Sequence, residues 1–98
     1  MATLVQGDTF NLTITVNENA NLIERIYFTC KYLKLKIECE KVNDNQYLVS
    51  TTPDFKLEEE EHECSFDVTA FLSDNQRQTI IYNEPLTLLK KENELDGD

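Results

Sequence analysis

A chain of 98 residues is the size of one domain, long enough to close a single hydrophobic core without disulfide or metal staples. With two Gly, two Pro and 40% hydrophobic residues, its composition is neither that of a linker nor that of a disordered segment. Nineteen acidic residues against nine basic give a formal charge of -10, which repels phosphate backbones and anionic headgroups and so argues against nucleic acid and membrane as partners. The same charge keeps a monomer soluble or offers a match to a basic protein.

Residues 3–6 form a short β-prone stretch, and Gly7-Asp8 supplies the freedom to turn out of it. The clearest signal in the chain follows. Phe10, Leu12, Ile14 and Val16 alternate with Thr9, Asn11, Thr13 and Thr15, the pattern of a strand with one apolar face that needs covering. Three asparagines at 17, 19 and 21 mark a loop, and Leu22 and Ile23 cap the next element. From Arg25 the alternation returns, with Ile26, Phe28 and Cys30 in the apolar phase and Tyr27, Thr29 and Lys31 in the other.

Residues 32–42 can be scored as helix or strand, but Leu33, Leu35, Ile37 and Cys39 repeat every two residues with charges between them, which predicts one strand. Asn43-Asp44-Asn45-Gln46 then turns the chain into a second arm carrying Tyr47, Val49 and Thr51, so a hairpin is expected. Thr52-Pro53-Asp54 reads as the start of a short helical turn with Thr52 as its cap, and Phe55 and Leu57 are expected to pin it over one end of the core. A helix over residues 53–63 is the alternative there. The glutamates at 58–61 lead away as a solvated, self-repelling connection.

Cys64, Phe66, Val68 and Ala70 resume the alternation as far as Leu72, and Ser73-Asp74-Asn75-Gln76 is the next hairpin turn. Thr79-Ile80-Ile81-Tyr82 is β-prone, Pro85 breaks or edges the ladder, and Leu86-Thr87-Leu88-Leu89 makes a last strand. Seven or eight short strands with at most one short helical turn predict an all-β fold, an antiparallel β-sandwich occupying residues 1–90, with 91–98 a polar, frayed tail.

The N-terminus has neither a basic head nor the ~7–15 apolar residues of a signal peptide, and no run approaches ~18 apolar residues. Cys30, Cys39 and Cys64 are odd in number and lie in the apolar phase of their strands, so buried reduced thiols in a reducing cytoplasm are expected. The sequon Asn11-Leu12-Thr13 carries no meaning in that setting.

His62, Cys64 and the neighbouring glutamates are metal-ligand types, yet no second Cys or His pair stands at metal-site spacing, and the run lacks the interspersed turn residues of a calcium loop. No metal and no cofactor is expected. A cysteine nucleophile needs an electropositive, partly exposed place that this acidic chain does not offer, and exposed glutamates in a row lack the contrasting environments that glycoside chemistry requires. No catalytic residue is assigned. Among Tyr27, Tyr32, Tyr47 and Tyr82, Tyr27 and Tyr32 are expected to lie exposed and to mark a contact surface. The first strand and the strand holding Leu86 and Leu88 are the candidate docking edges.

Taken together, Gln6-Gly7-Asp8-Thr9-Phe10 with its alternating strand, Ile26-Tyr27-Phe28, Gln46-Tyr47-Leu48-Val49, Thr51-Thr52-Pro53-Asp54, Cys64-Ser65-Phe66-Asp67-Val68, Ser73-Asp74-Asn75 and Thr79-Ile80-Ile81 give a pattern across about residues 3–90. It resembles the small immunoglobulin-like domain of phage baseplate upper proteins and of stand-alone virion proteins of phages and prophages of Gram-positive bacteria. The chain departs from that pattern at His62-Glu63 and the four preceding glutamates, where such domains commonly carry a glycine. The resemblance implies an immunoglobulin-like sandwich and a non-enzymatic role in a tail, baseplate or neck, in contact with other virion proteins or with copies of itself. It also implies a cytoplasmic location in the bacterial host during assembly and the virion afterwards. Two other roles fit the composition: a small-ligand or carbohydrate-binding module, and an acidic inhibitor or regulator of a host protein.

Overall fold

The computed structural model describes residues 2–91, so the predicted tail lies, beyond Lys91, outside the described residues. Eight strands follow in chain order: β1 (Ala2–Val5), β2 (Phe10–Thr15), β3 (Ile23–Cys30), β4 (Leu35–Glu38), β5 (Glu40–Asn43), β6 (Gln46–Thr51), β7 (Glu61–Leu72) and β8 (Arg77–Leu89). They form a five-stranded sheet ordered β1-β8-β7-β3-β4 and a three-stranded sheet ordered β2-β6-β5. The fold is all-β, apart from a 3₁₀ turn at Ala20–Leu22.

Period-two burial decides which residues fill the space between the sheets. Phe10 and Ile14 come from β2, Ile26, Phe28 and Cys30 from β3, Tyr47 and Val49 from β6, and Phe66, Val68, Ala70 and Leu72 from β7, all in one cluster. The sheets meet at an aromatic trio. The Phe10 ring lies 5.6 Å from Phe28 and 5.9 Å from Phe66, and Phe28 lies 5.1 Å from Phe66.

Turn chemistry places most connections where the sequence puts them. Gly7 takes a φ of 89° between β1 and β2, a conformation that a side chain would strain. The β5–β6 turn is held by the Asn45 amide donating to Asn43 Oδ1 at 3.1 Å, and the β7–β8 turn by Asn75 in the left-handed region at φ 67°.

Four expectations are corrected. The single strand over residues 32–42 is two strands in different sheets: the chain turns at residues 31–34, with Lys34 at φ 57°, and crosses from one sheet to the other at Cys39. The Cys39 amide still donates to Ile26 of β3 at 2.8 Å, so the crossover leaves that donor satisfied. The apolar period survives the break, which is why the sequence hid it.

The helical turn at Thr52-Pro53-Asp54, and the longer helix over residues 53–63, are absent. Pro53, Phe55 and Leu57 are all buried with exposed residues between them, and only an extended chain puts positions two apart on one side. Thr52 spends its hydroxyl on Thr9 at 2.8 Å instead of on a cap. Phe55 and Leu57 do join the core, as expected.

The two strands expected on either side of Pro85 are one, β8, which runs through the proline. Pro85 faces Ser65 of β7, and β1 pairs only from Leu86 onward, so the proline lies just beyond the stretch of β8 that β1 covers. Register shifts near residues 79–84 absorb the irregularity; Asn83 takes φ 51° and its amide donates to Asp67 Oδ1 at 2.6 Å. Finally, the pairing is not purely antiparallel, because β1 runs parallel to β8.

Candidate functional site

Because Ile26, Phe28 and Cys30 point inward, Arg25, Tyr27 and Thr29 on the same strand point to the outer face of the five-stranded sheet. Lys36 joins them opposite Thr29, and Arg77 joins from β8 opposite Phe71. An open depression of about 470 Å³ in this face is lined by Thr29, Lys31, Lys34, Lys36, Asp67 and Tyr82, among others.

The charge on this face contrasts with that of the chain. Arg25, Lys31, Lys34, Lys36 and Arg77 are five of the nine basic residues, and they share the face with Glu38, Glu61, Glu63 and Asp67. Elsewhere among the described residues, Lys41, Lys56, Lys90 and Lys91 stand among a larger number of carboxylates.

The sequence-predicted contact residues divide. Tyr32, in the β3–β4 turn, is 45% exposed and stacks on His62 with centroids 4.1 Å apart. Tyr27 is half-buried: its ring meets Phe71 edge-on at 5.6 Å, and Lys36 Nζ lies 4.9 Å from its centroid. Leu86 and Leu88 are core residues, 1% and 0% exposed, and not a docking edge. Their side chains take the inward phase of β8 and join the core, while β1, paired alongside residues 86–89, covers the backbone edge there.

Tyr82 is the residue that sequence reasoning passed over, at 79% exposed. Its position within a β-branched run gave no phase, since the irregular register of β8 around it decides which side it takes.

At the end of β7, His62 Nδ1 lies 2.8 Å from Glu59 Oε1, with Cys64 two residues on. This has the composition of a thiol site without its electrostatics. Burial, then the neighbouring Cys30 thiol, pushes Cys64 up to about 12, and burial pushes Cys39 up to about 11, so both are protonated at neutral pH. All three cysteines are free thiols, with Cys64 only half-buried. Among the described residues no group of three or more His, Cys, Asp or Glu is placed to hold a metal ion.

These thiols make folding depend on alkali. Their folded values are raised above the ordinary 9.0, so the stability they protect is complete below about pH 9 and is lost as pH rises through about 11 and 12. Urea midpoints are expected to fall between pH 9 and pH 11, and to fall less in a Cys39→Val variant. Equal falls in the two proteins would contradict the assignment.

No helix among the described residues is long and apolar enough to cross a membrane. No family model, curated protein or solved structure matches the chain.

Proposed function

We propose that this chain is an immunoglobulin-like β-sandwich that serves, without catalysis, as a structural or assembly component of a phage or prophage virion, in its tail, baseplate or neck. The observation that supports the immunoglobulin-like part of this reading is the strand order, while the virion role rests on the resemblance of the sequence pattern. With β2-β6-β5 in one sheet and β8-β7-β3-β4 in the other, the pairing follows the B-E-D and G-F-C-C′ arrangement of immunoglobulin domains. The Phe10–Phe66 contact at 5.9 Å joins β2 to β7, the strands that a disulfide links in antibody domains, which suits a chain of free thiols. Protonated cysteines and an outer sheet face rich in Tyr, Lys and Arg support work by contact instead of by chemistry.

In this reading the chain is made in the bacterial cytoplasm and ends in the particle, bound to other virion proteins or to copies of itself. Mass spectrometry of density-purified particles from the producing host is expected to find its peptides, and deletion of its gene to yield particles with defective tails. Recovery of the chain only from the soluble lysate, with particles intact without it, would contradict the proposal.

A further inference from the structure

We propose that the open edge of β2 pairs antiparallel with the β2 edge of a second copy of this chain, joining their three-stranded sheets into one across a two-fold axis. This pairing goes beyond the assembly role proposed above and does not rest on it.

A sheet edge offers unpaired N–H and C=O groups to any strand that reaches it, and edges are ordinarily blunted by shortness, charge or a bulge. β1 and β4 are four residues long, and β4 carries Lys36 and Glu38. β5 is as short, carries Glu40 and Lys41, and shifts register against β6. The part of β8 that β1 leaves uncovered holds Arg77 and Glu84 and is broken by register shifts. β2 has none of these devices. Its six residues pair with β6 without a shift, it ends the order of its sheet, and residues 9–16 include no charged side chain.

The phase of the ladder decides which backbone groups lie open. The Val16 amide donates to the Asn45 carbonyl at 2.8 Å, one step beyond the Thr15–Gln46 pair, and antiparallel strands bond at every second residue. Phe10, Leu12 and Ile14 therefore turn their N–H and C=O toward β6. Those of Thr9, Asn11, Thr13 and Thr15 face the other way, where no backbone of a described residue is bonded to them.

Two features commit this edge to a second copy. The strip is uncharged while each molecule carries -10, so like copies approach one another here with the least repulsion. It is also its own complement, because Thr9, Asn11, Thr13 and Thr15 recur symmetrically about Leu12, as an isologous contact requires. With the axis beside Leu12, Asn11 faces Thr13 of the second copy and Thr9 faces its Thr15, closing about eight hydrogen bonds. An axis beside Thr13 would instead bring Asp8 of each copy toward Glu18 of the other. Leu12, only half-buried where Phe10 and Ile14 in the same phase are buried, then meets its own copy and is covered. The pairing consumes the β2 edge and leaves the blunted β5 edge outermost, so association stops at the dimer.

Sedimentation of the whole chain over a range of concentrations at about 0.15 M salt tests this. Wild-type protein is expected to dimerise, and more tightly as salt rises, because screening removes the repulsion between copies and leaves an uncharged ladder untouched. N11K/T13K and N11E/T13E set like charges directly opposite one another, and each is expected to weaken the dimer by about tenfold or more. An equimolar mixture of the two is expected to restore it, since lysine then faces glutamate. Positions 11 and 13 are exposed, and the far-UV circular dichroism of each variant should match wild type. Wild-type protein that stays monomeric, a dimer that salt dissociates or that both variants retain, or a mixture that stays monomeric would each overturn the pairing. Detection in particles is a separate readout, so a monomeric chain found in virions would leave the assembly role standing.

Discussion

Leu88→Asp is expected to leave the chain unfolded at neutral pH and 25 °C. Leu88 is 0% exposed on β8, paired with Leu4 of β1 on one side and His62 of β7 on the other. A carboxylate there has to ionise in an apolar core or raise its pKa, and either course costs several kcal/mol against a typical total stability of ~5–15. Far-UV circular dichroism with a thermal scan reads the result directly. The same change at Tyr82, 79% exposed on the same strand, is expected to move stability by no more than about 0.5 kcal/mol. A folded Leu88→Asp protein would return that strand to the surface as a docking edge.

Phe28→Ala is expected to cost about 3–5 kcal/mol. Its ring is 1% exposed and touches Phe10 and Phe66 at 5.6 and 5.1 Å, so truncation leaves a cavity at the junction of the two sheets. Each lost aromatic pair adds about 0.5–1.5 kcal/mol to the loss of buried area. The urea midpoint should drop with an unchanged slope, because the surface exposed on unfolding hardly alters. Tyr27→Ala, the next residue on the outward phase, should cost less, since it loses only the Phe71 and Lys36 contacts on an open face. A larger loss at Tyr27 than at Phe28 would reverse the assignment of inner and outer faces.

Both results follow from residues whose side was legible in the sequence to different degrees. Phe10, Ile14, Ile26, Phe28, Phe66 and Val68 announce their inward phase by strict alternation; Gly7 and Asn75 mark their turns by tolerating positive φ, and Asn43 marks the β5–β6 turn by accepting a hydrogen bond from the Asn45 amide. Alternation reports which side a residue takes and not which sheet its strand joins. Leu35, Ile37 and Cys39 keep their period while the chain changes sheets, and Lys34 adopts a left-handed angle with no residue type to signal it.

Long-range pairing is the other unreadable ingredient. The parallel contact between β1 and the end of β8 joins residues more than eighty positions apart; it covers the backbone edge of β8 beside Leu86 and Leu88 and starts only after Pro85. The candidate face has the same origin. Arg25, Lys36 and Arg77 stand on three strands, so a net charge of -10 says nothing of the basic surface they make once β3, β4 and β8 lie in one sheet. The composition argument against anionic partners concerns the molecule as a whole and does not report how charge is distributed over one face.

The central claim is that β2 and its sheet pack face to face with β3 and β7 through the Phe10, Phe28 and Phe66 rings. Nuclear Overhauser spectra of the chain with specifically labelled phenylalanines test it most directly. Cross-peaks from the Phe10 ring to both Phe28 and Phe66 are the predicted result; a Phe10 ring that shows neither, in a folded chain, would contradict the account.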